Sequence, residues 1–120
     1  MLFDERDYAY IWDMLDAART VHEIVSNLEF DQYNNSKVLK LAVERAIEII
    51  GESARHVSDE FKQSHPEIPW QNIIGQRNIL AHQYGAIDQR RIWNVAKIHI
   101  PDLISKLVPL IPQIPPEVEQ

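Results

Sequence analysis

With 120 residues, 45% of them hydrophobic and 25% charged, the chain has the make-up of one globular domain, able to bury roughly two-thirds of the surface that its unfolded form exposes. The absence of cysteine excludes disulfides, thiolate catalysis and cysteine-based zinc sites. A formal net charge of −6 excludes nucleic-acid binding over the whole surface, so any RNA contact needs a local cationic site; by itself the charge also fits plain solubility.

Few glycines argue against a sheet. Asp4, Glu5, Arg6 and Asp7 stand where a signal peptide would need apolar residues, and no run is long enough to span a bilayer. A cytoplasmic protein with no membrane contact is expected.

Taken in order, the first amphipathic segment runs from about Asp4 to Asn27, with Tyr8, Ile11, Trp12, Leu15, Ala18 and Val21 at helical spacing and Asp4 as its cap. Phe30 to Asn35 is polar without helical period and reads as a loop. Ser36 or Asn35 caps a second helix over about Lys37–Val57. Its apolar positions, among them Val38, Leu41, Val43, Ile47 and Ile50, form a wide face, which places it at the centre of a bundle. Gly51 inside it costs roughly 1 kcal/mol against Ala, so a close helix contact is expected there. Lys37, Lys40, Glu44, Glu48, Glu52 and Arg55 form a polar stripe. The stripe is either a solvated face or one that turns Glu48 or Glu52 toward the segment described next.

Ser58 caps a short turn over Asp59–Gln63, and the two prolines of His65–Pro69 exclude regular helix until Pro69 opens the next one. That helix carries Trp70, Ile73, Ile74 and Arg77 on one face, so Arg77 starts from the buried side and needs an acidic partner or an anion. Asp88 caps the last long helix. Pro101 either kinks that helix or starts a new one, and regular structure ends from Pro109 onward. The organisation expected is one helical domain over 1–112 and a Pro-rich tail over 113–120.

The chemistry concentrates in Arg77-Asn78-Ile79-Leu80-Ala81-His82-Gln83-Tyr84-Gly85. It combines a permanently charged guanidinium, an imidazole, which titrates near neutrality, and a phenol. On one ideal helix Arg77 and His82 point about 140° apart. Three routes could join them: a backbone break near His82, an Arg stem that reaches round, or a second copy of the helix. A surface Arg and a His at a helix end give the bland alternative. The five histidines, at 22, 56, 65, 82 and 99, include no pair at i, i+3 or i, i+4, so no metal site is expected. No Gly-rich phosphate loop is present and no cofactor is expected. A metal-free Arg/His pair suits RNA phosphodiester cleavage by the 2′-hydroxyl, with His82 moving protons and Arg77 stabilising the transition state.

The segment resembles the R-x-x-x-x-H-x-Y motif of the HepT-like family of HEPN-domain proteins. Ala46-Ile47-Glu48-Ile49-Ile50-Gly51-Glu52-Ser53-Ala54 resembles the family's second-helix signature, with Ser53 where an Ala is usual. His65-Pro66-Glu67-Ile68-Pro69-Trp70, Ile73-Ile74-Gly75, Ile87-Asp88 and Trp93 are similar to the sequence around its motif. The resemblance covers about Asp4 to Ile111. It implies an all-α, up-and-down bundle of four to five helices, HEPN-like, paired as a symmetric dimer in which two Arg/His motifs share a cleft. It also implies the toxin of a type VII-like toxin–antitoxin system: a metal-independent endoribonuclease with Arg77 and His82 catalytic and RNA as substrate. Asn78, Glu48 and Glu52 would support the pair. An MntA-type nucleotidyltransferase antitoxin would AMPylate Tyr84. The competing expectation is a non-catalytic helical module that only binds such a nucleotidyltransferase.

Overall fold

The computed structural model describes residues 5–82 and 87–112, which are helical with no strand among them. The expected cap Asp4, the expected turn at Tyr84 and Gly85, and the Pro-rich tail lie outside the described residues.

Helix α1 (Glu5–Val25) leads to the short α2 (Phe30–Asn34), then to α3 (Lys37–His56), the short α4 (Asp59–Ser64) and α5 (Trp70–His82). A last continuous rod combines α6 (Gln89–Asn94), a π-helical turn (Val95–His99) and α7 (Ile100–Leu107), and closes in a single 3₁₀ turn over Val108–Leu110. None of these helices is long and apolar enough to cross a membrane.

Helix α3 is central, as its pattern predicts: α1 packs on one side of it and α5 on another, while α7 packs on α1. Ile11, Met14, Leu15, Ala18 and Val21 of α1 meet Val43, Ile47, Ile50 and Ala54 of α3 in one buried core. Each fully buried Val, Leu, Ile or Met side chain here contributes about 1.5–3 kcal/mol. Ser36 supplies the α3 cap, accepting from the Leu39 N–H at 3.1 Å. Ser58 caps α4, and its own N–H and hydroxyl donate to buried Asp7 at 2.8 and 2.7 Å. One carboxylate thereby ties the start of α1 to the α3–α4 corner with its acceptors satisfied.

Three expectations need correction. Phe30–Asn34 is a helix rather than a loop. Five residues are too few to show a period; a local capping box, in which the Glu29 N–H donates to Gln32 Oε1 at 2.8 Å, starts the helix, and tertiary contacts hold it. Tyr33 is fully buried, its ring tilted against that of Trp93 with centroids 5.2 Å apart, and its hydroxyl donates to Gln89 Oε1. The Gln89 amide donates in turn to Glu44 at 2.7 Å. Burial, helped by the Glu44 charge, raises the Tyr33 phenol well above its ordinary pKa. Second, Val38 and Leu41 leave the core: they are 75% and 55% exposed. They point nearly the same way as Glu52, but α5, at about 20 Å, is shorter than α3 at about 30 Å and does not reach them. Third, Pro109 does not end regular structure, since it lies inside the closing 3₁₀ turn.

Pro101 neither sharply breaks the rod nor leaves it regular. It lacks an N–H and its ring crowds the carbonyl of Lys97, and the turn just before it widens to π geometry.

Gly51 accounts for the α3–α5 packing. A Cβ there would lie 2.2 Å from Arg77 Cβ and 3.0 Å from the Ile73 carbonyl oxygen. Both obstacles are backbone or fixed to it, so the helices would have to separate. Gly51→Ala should lower the thermal midpoint by several degrees in calorimetry. The overpacking cost, about 1–3 kcal/mol or more, outweighs the roughly 1 kcal/mol gained in helix propensity. An unchanged or raised midpoint would contradict the close approach.

Candidate active site

Helix α5 is anchored before it presents anything. Trp70 is buried, and its indole N–H donates to the His65 carbonyl at 3.0 Å. The Pro69 carbonyl accepts the Ile73 N–H at 3.0 Å, so the proline stands where its missing N–H is harmless.

One turn further on, Arg77 crosses Gly51 and meets Glu52. Arg77 Nη2 lies 3.0 Å from Glu52 Oε1, with the Arg77 side chain 25% exposed. The approach is close but poorly aligned. Glu52 Oε1 and Arg77 Nε are both buried without a hydrogen-bond partner. The guanidinium is thus held mainly by charge, with a donor left unused. Its Nη1 donates to Asn78 Oδ1 at 3.0 Å.

Glu52 is the hub of this corner. Its Oε2 accepts from Arg55 Nη2 at 2.8 Å and stands 3.1 Å from His56 Nε2. The Arg55 hydrogen bond holds the Glu52 carboxyl below its ordinary pKa; partial burial opposes this, and His56 and Arg77 reinforce it. The same contact raises the Arg55 pKa. His56 also stacks on Tyr10 at 5.4 Å.

The candidate residues therefore divide. Arg77, Asn78 and Glu52 come together. Glu48 does not join them, because it pairs with Arg45 at 3.1 Å on the outer face. Asn78 bonds Arg77 and not His82. His82 is the last residue of α5 and exposed, and its side chain makes no hydrogen bond or ion pair among the described residues. The helix is unbroken from Arg77 to His82, so the two side chains leave its axis about 140° apart. Tyr84 lies outside the described residues. Among the described residues, no group of three or more His, Asp or Glu side chains is arranged to hold a metal ion.

Two features of this region lie outside the expectations set by the sequence. His56 joins Glu52 from the next turn of α3, a spacing of four that could have been noticed. Gln76, beside Arg77 but on another face of α5, accepts from Arg91 Nη2 at 3.2 Å. That contact spans separate elements and leaves no local signal.

Comparison with known proteins places these residues in context. The family model described as ribonuclease HepT-like matches residues 14–110. A protein of Methanocaldococcus jannaschii named a putative RNase is 36% identical over 95 residues, covering 79% of this chain and 87% of its own. The probable ribonuclease HepT of Thermococcus cleftensis is 36% identical over 97 residues, covering 81% and 88%. A further protein named a putative RNase, from Caldanaerobacter subterraneus subsp. tengcongensis, is 33% identical over 94 residues, covering 78% and 84%. No solved structure matches the chain significantly.

The Glu52 hub implies a pH dependence of defined sign. A carboxyl whose pKa falls on folding stabilises the folded state above its unfolded value, 4.5, and that contribution is lost as the pH drops through the lower folded value. Glu52→Gln should therefore be less stable than the parent chain at neutral pH, and the gap should close below pH 4.5. Urea unfolding across pH 3–7 reads this, and a gap independent of pH would contradict the hub.

Proposed function

Because this chain belongs to the ribonuclease HepT-like family, we propose that it is a metal-independent endoribonuclease with Arg77 and His82 as catalytic residues. The observation that carries the proposal is the state of Arg77. Its guanidinium is partly exposed and held on α3 by the Glu52 charge, and it keeps an unused Nε donor. A plain structural arginine at this depth would have its donors satisfied. An exposed imidazole stands at the end of the same helix.

In the proposed reaction the RNA 2′-oxygen attacks the adjacent phosphorus and the bond from phosphorus to the 5′-oxygen breaks. One imidazole takes the 2′-hydroxyl proton and another returns a proton to the leaving 5′-oxygen. The products are a 2′,3′-cyclic phosphate and a 5′-hydroxyl. Arg77 stabilises charge on the pentacoordinate phosphorus, and its planar fork suits two phosphoryl oxygens. Asn78 and Glu52 orient Arg77. The divergence of Arg77 and His82 on one unbroken helix favours a symmetric homodimer, in which His82 of one copy works beside Arg77 of the other.

We propose further that the chain is the toxin of a toxin–antitoxin pair acting on cytoplasmic RNA. A nucleotidyltransferase antitoxin would transfer AMP from ATP to the Tyr84 hydroxyl, releasing pyrophosphate. The added phosphate would compete with RNA for Arg77 and the adenosine would fill the cleft.

His82→Ala should reduce cleavage of single-stranded RNA about 10²–10⁴-fold, with EDTA without effect on the parent chain. Mixed Arg77→Ala and His82→Ala chains should regain part of the activity. Activity that survives His82→Ala or is abolished by EDTA would refute the mechanism. No cleavage by the parent chain would favour a binding module instead.

The modification has its own test, intact-mass and peptide mass spectrometry after incubation with the cognate nucleotidyltransferase and ATP. A single AMP on Tyr84 with loss of cleavage is expected, and Tyr84→Phe should stay active and unmodified. An adduct elsewhere, or an adduct on Tyr84 with cleavage intact, would overturn it.

A further inference from the structure

A recess on the described surface contains neither Arg77 nor His82. It opens on the neighbouring face of α5, between α5 and the α6–α7 rod, with a volume of about 410 Å³. Its origin is architectural. Helix α5 rests on α3 and makes little contact with the α6–α7 rod, so the bundle stays open along that seam. The volume lies in the range of about 300–1,000 Å³ usual for small-ligand sites.

We infer that this cavity is a binding subsite for one unstacked nucleotide of the RNA strand, an assignment that rests on the ribonuclease reading above. Its apolar lining includes Ile47, Ile50 and Leu103, which suit the face of a base. The carboxamides of Asn72, Gln76 and Asn94 are set around it. Each amide carries both donors and acceptors, the combination that reads a base edge. Gln76 is only 9% exposed, and its Nε2 has no hydrogen-bond partner while its Oε1 is used by Arg91. A buried amide donor without a partner is costly and marks a place where a ligand or solvent acceptor completes the structure.

The charge at the cavity matches a nucleic-acid strand. From Gln89 to Pro101 this acidic chain has Arg90, Arg91 and Lys97 and no acidic residue. Arg90 stacks on Phe30 at 4.0 Å, and Lys97 donates to the Val25 carbonyl at 3.2 Å. Arg91 lines the cavity, and no carboxylate among the described residues pairs with it. Asp102 also lines it and pairs with Lys106 at 2.9 Å. A single guanidinium suits the one charge of a phosphodiester better than the larger charge of a free nucleotide's terminal phosphate. The π-helical turn forms part of the wall and contributes Val95 and His99. Gln76 and Arg77 are adjacent on α5, so a strand with its scissile phosphate at Arg77 can place a neighbouring nucleotide in the cavity.

The test separates binding from cleavage by using the His82→Ala protein throughout. Fluorescence anisotropy with a labelled single-stranded RNA of mixed sequence is compared before and after adding Arg91→Gln and Asn94→Ala. Affinity should fall about tenfold or more. Should the substituted chain fail to fold, the His82→Ala protein decides alone, through photo-crosslinking to RNA bearing 4-thiouridine or 8-azidoadenosine. Crosslinks in 69–76 or 91–103 support the subsite. Unchanged affinity in a folded variant, or crosslinks only elsewhere, overturns it. AMP binding as tightly as the oligonucleotide would overturn the assignment to a strand in favour of a free nucleotide. RNA bound through the cavity by a parent chain that cleaves nothing would defeat the ribonuclease reading and leave the subsite standing.

Discussion

The structure depends on the point where α5 crosses α3 at a residue of α3 that has no side chain. Gly51 leaves room for the Arg77 stem, and the next residue, Glu52, receives the guanidinium. A single methyl group at that crossing would push α5 away and move Arg77 from its counter-charge. The glycine weakens α3 locally, and the crossing that it permits sets the position of the proposed site.

From that crossing α5 serves three directions at once. One face carries Arg77 to the Glu52 hub, and a second lines the open seam with Asn72 and Gln76. The last turn presents His82 to the outside. A helix packed on both sides could not do this, because its polar residues would be buried against neighbours. Because α5 rests mainly on α3, the seam stays open on one side and the end of the helix is exposed on the other.

The electrostatics are local. The chain carries −6 overall, yet its cations are placed where carboxylates do not cancel them all. Glu52 gathers Arg55, His56 and Arg77 at one corner. The Gln89–Pro101 stretch is free of acidic residues and faces the seam with Arg91. An RNA strand approaching an otherwise repulsive surface would find its attraction at these places, which restricts where it can lie.

Much of this was legible in the sequence. Helical spacing alone set out the long helices, the caps at Ser36, Ser58 and Asp88 marked their starts, and the wide apolar face of α3 marked it as central. Gly51 announced a close contact, and the ordered motifs announced the family. Each of these is a local property, recorded in the spacing or identity of neighbouring residues. Only the tertiary structure decided that Glu52 and not Glu48 meets Arg77, since both lie on one stripe and the choice depends on where α5 crosses. Tertiary packing holds the helix Phe30–Asn34 in place, through Tyr33, Trp93 and Gln89, and it alone left Val38 and Leu41 in water beyond the reach of α5. The seam with Gln76 and Arg91 belongs to the same class. It exists because α5 and the α6–α7 rod make little contact with each other, a relation between distant segments that no spacing along the chain records.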